Sequence, residues 1–253
     1  ISYMADIEKA KQEFQRIKSL GYVLSDKPFA KKNDGAIGNT FETLLGVEEN
    51  NLRDADFEGW ECKSQRKHTK SASSLFTRKP DYPHGGDEYM RENWGVQDTE
   101  FPNLKVFRTS IYYHRWSVVY NKYKMKLRIN EPDERLEIIL CDLDENIIDE
   151  SVYWSFKSLK EASSKLKNTF VVKAEEKTIN GKVHFKYIEG TVYMNFNFDN
   201  LIKLIKDGKA RYDNRLGVYR TGDMRGKKHN HGGGIRLVSS DSYKDLFDDY
   251  ESL

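Results

Sequence analysis

Cysteine is scarce in this sequence, where Cys62 and Cys141 are the only two among 253 residues. Two distant cysteines build neither a disulfide framework nor a zinc site. The chain therefore has to fold on its apolar core alone, and hydrophobic residues at 38% with aromatic residues at 13% are enough for one. We expect a reducing cytoplasm to be its location.

Long apolar runs are also missing. The longest, such as LEIIL at residues 136–140, are far too short to cross a bilayer. No charged and then apolar signal peptide opens the sequence, which starts ISYM. We therefore expect neither a membrane partner nor a secreted disulfide scaffold.

Neither sign of charge dominates, since 42 Lys and Arg stand against 40 Asp and Glu, a net charge of +2. The distribution of the charges is more informative than their sum. Residues 63–80 contain six Lys and Arg and no acid, residues 220–236 contain five Lys and Arg, and residues 241–253 contain five acids. Separated basic stretches favour a polyanionic partner, although either stretch alone is just as typical of a solvated surface.

Hydrophobic periodicity predicts a mixed α/β (α+β) fold. No shift in composition marks a linker, and we place a boundary between two lobes, which are free to interleave, near residue 160. The predicted helices cover residues 5–21, about 40–47, 86–95, 155–168 and 198–208, with Asn39 or Thr40 capping the second. The predicted strands are 60–64, 73–77, 123–129 paired with 135–143, 169–177, 182–190, 215–220 and 233–238.

The segment DADFEGWECKS at residues 54–64 carries four acids and one lysine. Side chains of a strand alternate between its faces, so Glu61 and Lys63 share one face while Cys62 points into the core. Gly59 permits a bend that brings Asp56 round to the Glu61 face. Two carboxylates beside one ammonium suit metal-assisted hydrolysis of a phosphodiester.

This short pattern is weak evidence by itself, because a charged strand on a wet surface has the same appearance. Glu175 and Lys177 repeat the Glu-x-Lys spacing on another predicted strand, without an Asp or a basic run nearby. Asp54 and Glu58 are interpreted as solvent-facing acids of a turn. Glu42, on the helix that precedes the segment, is either a further carboxylate of the site or an ordinary surface residue.

Several blocks together resemble the MvaI/BcnI family of type II restriction endonucleases, which is related to the MutH mismatch-repair nickase. The first blocks are GAIGNTFETLLGVEENN at 35–51 and DADFEGWECKSQR at 54–66. SVYWSFKSL at 151–159 and RLGVYRTG…GKKHNHG…IR at 215–236 follow in the family's order. The resemblance is strongest to the MvaI-like members and covers about residues 34–95 and 150–238.

The resemblance implies a PD-(D/E)XK restriction-endonuclease-like catalytic core and dependence on Mg²⁺. Asp56 and Glu61 match the metal-binding carboxylates, Lys63 matches the catalytic lysine and Glu42 matches the helix acid. Ala55 stands where the family motif has proline. In this interpretation residues 1–160 form the catalytic lobe and residues 161–253 the DNA-recognition lobe.

The family also implies the substrate and the way in which the enzyme cleaves it. Its members act on double-stranded DNA as monomers, with a cleft between the lobes, and nick the two strands in turn at CC(W/S)GG-like sites. CCWGG is favoured here. A bacterial cytoplasm and a cognate DNA methyltransferase in the same host, not bound to the enzyme, follow from the same resemblance.

Candidates for reading the DNA lie in the C-terminal third of the sequence. In the major groove arginine donates to guanine O6 and N7, and aspartate accepts from cytosine N4. Asp213 and Arg215 are two residues apart on a predicted strand, and Arg236 lies on the strand after a glycine-rich loop. An ordinary ion pair on the surface of a strand remains the alternative for these residues.

The glycine-rich loop adds candidates for contacts near the centre of the target and for phosphate contacts. His229 and His231 lack a third soft ligand nearby, so a contact with DNA is favoured over a metal site. Lys227, Lys228 and Arg225 are interpreted as phosphate contacts, which add affinity without sequence information. Weaker candidates for the same role are Arg66, Lys67, Lys70, Arg78 and Lys79.

Three hypotheses follow. The first is a Mg²⁺-dependent, sequence-specific endonuclease. The second is a MutH-like, strand-specific nickase that needs a partner protein. The third is a DNA-binding module without catalysis, which the acid, acid and lysine set disfavours because unpaired carboxylates facing phosphates would weaken binding.

Overall fold

The computed structural model describes residues 5–29, 33–47 and 56–253. The chain divides into two compact units, called here the first and the second unit. The first unit consists of residues 1–71, 164–197 and 243–253, and the second of residues 72–163 and 198–242. The units thus interleave along the chain, an arrangement that the approximate boundary predicted near residue 160 left open.

The helices and strands make this a mixed α+β protein, as predicted. The helices are α1 (Ile7–Ser19), α2 (Ala36–Leu45), α3 (Gly86–Trp94), α4 (Phe156–Ser163), α5 (Phe198–Lys206) and α6 (Tyr243–Leu246). The strands are β1 (Tyr22–Leu24), β2 (Glu61–Arg66), β3 (Ser73–Thr77), β4 (Val96–Gln97), β5 (Lys105–Ile111), β6 (Ser117–Val119), β7 (Tyr123–Asn130), β8 (Arg135–Cys141), β9 (Ile147–Asp149), β10 (Tyr153–Ser155), β11 (Asn168–Ile179), β12 (Lys182–Phe196), β13 (Ala210–Val218), β14 (Lys228–Asn230), β15 (Gly234–Leu237) and β16 (Phe247–Ser252).

Helix α1 forms as its periodicity predicts. Asp6 caps it by accepting a hydrogen bond from the backbone N–H of Lys9. Ala10, Phe14 and Ile17 recur at helical spacing and are fully buried, so this face packs into the core of the first unit.

Helix α2 begins earlier than predicted, because Gly35 and not Asn39 or Thr40 occupies the cap position. Thr40 lies inside the helix, where its hydroxyl donates to the carbonyl of Ala36. The helix ends at Gly46, whose φ of 77° is the left-handed conformation that glycine adopts without strain. The prediction of the cap was therefore wrong, while the prediction of a helix was correct.

The sheet of the first unit has the order β1-β12-β11-β2, with β16 added on β12. Strand β2 pairs with β11 in parallel, placing Thr169 beside Glu61 and Val171 beside Lys63. Parallel neighbours need a crossover, and here the connection between β2 and β11 carries much of the second unit. This long crossover accounts for the insertion of residues 72–163 between two segments of the first unit.

The second unit contains two sheets, with the orders β10-β8-β7-β6 and β3-β15-β13-β5-β4. The predicted hairpin of β7 and β8 is confirmed, since the two strands pair antiparallel from Lys124 opposite Cys141 to Asn130 opposite Arg135. Strand β13 starts earlier than predicted, at Ala210, and lies between β5 and β15. Among the described residues no helix is long and apolar enough to cross a membrane.

Candidate metal and DNA-binding sites

A tight turn precedes β2 in the first unit. Residues 57–60 close it with two backbone hydrogen bonds, of 2.9 and 2.6 Å. Glu58 and Gly59 have φ values of 43° and 83°, the positive values required of a two-residue hairpin turn. The turn brings Asp56 back to the strand, where its Oδ2 accepts the backbone N–H of Cys62 at 3.0 Å. The bend predicted at Gly59 is confirmed.

Strand β2 presents its two charged side chains on one face. The Nζ of Lys63 lies 3.2 Å from Oε1 of Glu61, and Glu61 is only 4% exposed. Cys62 is buried in the same core cluster as Trp60, on the other face. The alternation predicted from the sequence is therefore confirmed, and the thiol is a packing group.

A second lysine, absent from the predicted site, reaches the same carboxylate. Lys165 lies in the 3₁₀ turn Ser164–Lys167 that leads directly into β11, and its Nζ is 3.1 Å from Oε1 of Glu61. The pairing of Thr169 with Glu61 brings this turn beside the start of β2. No local sequence signal marks Lys165, because its position depends on a strand pairing across a hundred residues of chain.

The electrostatics of this site reflect two carboxylates held close together. Burial raises the pKa of Asp56, and the negative charge of Glu61 raises it further. The N–H of Cys62 and the ammonium groups of Lys165 and Lys63 oppose that rise of the pKa without cancelling it. A divalent cation would favour ionisation of both carboxylates, so this pair of oxygen donors fits Mg²⁺, which often takes only one or two carboxylates.

The other acids considered from the sequence do not complete a larger cluster. Within residues 5–29, 33–47 and 56–253, no group of three or more His, Cys, Asp or Glu side chains is placed to hold a metal ion. Glu42 is half-buried on α2, and after burial and Asp56 its charge contributes to the raised pKa of Cys62. Glu58 is exposed, and Asp54 lies outside the described residues.

The second Glu-x-Lys pattern behaves as an ordinary surface motif. The carboxylate of Glu175 pairs with Nζ of Lys67 at 3.2 Å and accepts the hydroxyl of Tyr22 at 3.4 Å. The hydrogen bond from Lys67 lowers the pKa of Glu175, the opposite direction from Asp56. Arg66 pairs with Glu176 at 2.7 Å, so two of the weaker phosphate candidates are bound to acids.

The second unit gathers the predicted base-reading residues around one buried carboxylate. Asp213 on β13 is 2% exposed, and its Oδ2 lies 3.5 Å from Nη2 of Arg215 and 3.3 Å from Nε of Arg236. Strand β15 pairs with β13, which is why Arg236 reaches this carboxylate. The predicted shared face of Asp213 and Arg215 is confirmed.

A third arginine binds Asp213 and was missed in the sequence. Arg211 donates from Nε to Oδ1 at 2.7 Å and from Nη2 to Oδ2 at 3.2 Å, and its Nη1 donates to the hydroxyl of Tyr112 at 2.7 Å. The sequence signal for Arg211 was its position two residues from Asp213 on the same strand. Asp213 and Arg215 have the same spacing.

Arg211, Asp213 and Arg215 line an open pocket of about 480 Å³. Its wall is formed by Arg108, Thr109, Ser110, Arg211, Asp213, Asn214, Arg215 and His231. Arg108 stands directly opposite Arg215 across the pairing of β5 with β13. Like charges that face each other across strands are unfavourable, so this pocket is suited to a polyanion.

Gly217 on β13 permits a close approach by two side chains of this pocket, Arg108 and His231. A Cβ at this position would lie 2.4 Å from Nη2 of Arg108 and 2.9 Å from Nε2 of His231. Both side chains therefore rest over the bare backbone of β13. Burial lowers the pKa of His231, and the neighbouring His229, Arg108 and Arg215 lower it further, which favours the neutral ring.

The remaining candidates of the glycine-rich loop differ in their surroundings. His229 stacks on Tyr219 with 3.9 Å between ring centroids and contacts His231 edge to face. Lys228 pairs with Glu88, Arg225 pairs with Glu100, and Lys227 is exposed. Of the weaker candidates, Arg78 binds Ser158 at 2.8 Å, whereas Lys70 and Lys79 are exposed.

The similarity to known proteins extends over nearly the whole chain. The model of the MvaI/BcnI restriction endonuclease family matches residues 11–247. The restriction endonuclease MvaI in complex with its cognate DNA substrate is similar at 28% identity, over 98% of this chain and 99% of that chain, with a TM-score of 0.88. MvaI in the absence of DNA is similar at 28% identity, over 100% and 99%, with a TM-score of 0.62. No curated protein sequence matches the chain.

Proposed function

Because the chain belongs to the MvaI/BcnI restriction endonuclease family and is a type II site-specific endonuclease, we propose that it hydrolyses double-stranded DNA at a CC(W/S)GG-like site with Mg²⁺. CCWGG is the favoured target. The first unit carries the catalysis and the second unit reads the DNA. The enzyme acts as a monomer that nicks the two strands in turn.

The observation that carries this proposal is the cluster of Asp56, Glu61 and Lys63 at the start of β2. Asp56 and Glu61 would hold the Mg²⁺. The bound ion would polarise the phosphate and lower the pKa of a water. The ammonium of Lys63 orients the attacking water and offsets the charge that develops on the phosphate. Glu42 is the helix acid at the edge of the site.

Base reading is assigned to the arginines around Asp213. Arg215 and Arg236 donate to guanine O6 and N7, and Asp213 accepts from cytosine N4, which suits a target rich in C and G. The geometry supports this set because β13 and β15 present all three side chains to one another. MvaI, the similar enzyme, is described in complex with its cognate DNA.

Other contacts complete the interface with DNA. His229 and His231 are proposed to contact bases or backbone at the centre of the target, and Arg108, on the strand that pairs with β13, joins them. Lys227, Lys228 and Arg225 contact phosphates, which requires the last two to exchange Glu88 and Glu100 for the DNA backbone. The expected consequence is a strong dependence of binding on salt.

The cellular setting follows from the same assignment. A bacterial cytoplasm suits the two free, buried cysteines. A cognate DNA methyltransferase in the same host protects the target sites and is not bound to the enzyme.

A supercoiled plasmid with one CCWGG site tests the proposal. Incubation with Mg²⁺ should give open-circular and then linear DNA, whereas Glu61→Ala and Lys63→Ala should reduce the rate by a factor of roughly 100 or more. Glu175→Ala is the matched control, since it removes the Glu of the other Glu-x-Lys pattern, and it should cut at the wild-type rate. Open-circular product that never becomes linear would instead favour a MutH-like nickase.

A further inference from the structure

Two ammonium groups share a single oxygen of the metal-binding pair. Oε1 of Glu61 lies 3.2 Å from Nζ of Lys63 and 3.1 Å from Nζ of Lys165. The Glu61 side chain is 5% exposed, so little water competes for that oxygen. Asp56 adds the second carboxylate of the pair, and Lys165 also acts electrostatically on it.

The formal charges of these four side chains cancel. A divalent cation entering the cluster would meet two ammonium groups of like charge within one buried site, where such repulsion is weakly screened. A cation that binds Oε1 of Glu61 would therefore displace at least one lysine from that oxygen. A carboxylate that already contacts two ammonium groups gains less free energy from binding a third cation.

The two lysines differ in their freedom to withdraw. Lys63 belongs to β2, two residues from Glu61, and its side chain is 20% exposed. Lys165 approaches from the short 3₁₀ turn before β11, and its side chain is 36% exposed. A long and flexible side chain at a solvent-facing turn can leave the carboxylate with little rearrangement of the backbone.

We propose that Lys165 is a positioning residue that substitutes for the divalent cation at Glu61 and weakens metal binding until DNA is present. A phosphate of the bound DNA attracts the ammonium of Lys165 and frees the carboxylate for Mg²⁺. The inference rests on the proposed function, because it assumes that Asp56 and Glu61 form the metal site. Its effect is to couple metal binding to the arrival of the substrate.

Calorimetric titration of the DNA-free protein with Mn²⁺ tests the proposal without any turnover. Lys165→Met should bind Mn²⁺ at least about tenfold more tightly than the wild type, since one repelling charge is removed. Lys165→Arg keeps the charge and should stay near the wild-type affinity. Lys167→Met is the matched control, an exposed lysine of the same turn, and should not change the affinity.

A second measurement determines how tightly the variant binds DNA. Without divalent ions, Lys165→Met should bind cognate DNA more weakly and should lower the slope of log affinity against log salt by about 1. Thermal unfolding checks that each variant is folded, and Lys165→Gln replaces Lys165→Met if the latter is not.

The outcomes separate the two proposals. If the wild-type enzyme cuts DNA with Mg²⁺ but Lys165→Met binds Mn²⁺ no more tightly than the wild type, the role of Lys165 is overturned. The proposed function is then unaffected. A wild-type protein that neither binds Mn²⁺ nor cuts DNA overturns the proposed function itself.

Discussion

The guanidinium of Arg211 holds both carboxylate oxygens of Asp213, with hydrogen bonds of 2.7 and 3.2 Å. These bonds leave the carboxylate fixed in a pocket where Arg215 and Arg236 approach the same Oδ2. The burial of Arg211 lowers its pKa, but the hydrogen bonds to Asp213 and Tyr112 outweigh this effect and raise the pKa overall. Arg211 thus fixes the orientation of the Asp213 carboxylate.

Replacing Arg211 by lysine should relax the sequence specificity. Lysine keeps the charge but cannot bind both oxygens of Asp213 and the hydroxyl of Tyr112 in one plane. We expect the ratio of cleavage rates on the target and on a site with one C·G pair changed to fall by about tenfold, equivalent to ~1.4 kcal/mol. Competition cleavage of the two oligonucleotides measures the ratio. An unchanged ratio would show that Asp213 is positioned by its other partners.

The substitution Gly217→Ala should weaken DNA binding with little loss of stability. The new Cβ would displace the ends of the Arg108 and His231 side chains, which are flexible and cost little to move. DNA affinity measured with Ca²⁺ should fall about tenfold, while the unfolding midpoint in urea stays within experimental error of the wild type. Gly38→Ala is the control, because its Cβ would meet only Ser64, at 4.0 Å. Wild-type affinity in Gly217→Ala would remove Arg108 and His231 from the interface.

The substitution Asp56→Asn should increase stability and abolish cleavage. Burial and the charge of Glu61 raise the pKa of Asp56, so the folded state disfavours its ionised form. This penalty is complete above the raised pKa of the folded state, fades as the pH falls through that pKa, and is absent below the unfolded pKa of an aspartate, about 3.9. Urea unfolding at pH 7 and pH 3 should show a gain from Asp56→Asn only at the higher pH. A loss of stability at pH 7 would mean that the hydrogen bond to Cys62 dominates.

We expect His231 to make the folded state less stable in acid. Its pKa is lowered by burial and by the neighbouring His229 and Arg108, so protonation is harder in the folded state than in the unfolded state. Stability therefore falls as the pH drops below the unfolded pKa of histidine, about 6.5. In His231→Asn, the free energy of unfolding measured in urea should depend less on pH between pH 7.5 and pH 5.5. An equally steep pH dependence in the variant would assign the effect to other groups.

Local patterns of the sequence predicted much of the fold and part of the site. The alternation along β2 put Glu61 and Lys63 on one face, and the turn at Gly59 brought Asp56 to the strand. These outcomes depend on a few consecutive residues. The same reasoning gave the wrong cap for α2, since Thr40 bonds within the helix as readily as it caps one.

What the sequence did not predict depends on pairing between distant segments. Lys165 reaches Glu61 only because β11 lies beside β2 in parallel. Arg108 faces Arg215 because β5, a strand that periodicity did not identify, pairs with β13. Strand order is set by the packing of whole sheets, and no local residue pattern encodes it.

The parallel pairing of β2 with β11 also has a consequence during synthesis. Strand β2 leaves the ribosome about a hundred residues before the strand that completes its hydrogen bonds. At ~5–20 residues per second, this delay amounts to several seconds. During that interval the nascent chain carries β2 without its parallel neighbour and without Lys165 beside Glu61. The contact of Lys165 with Glu61 is therefore completed only late in translation.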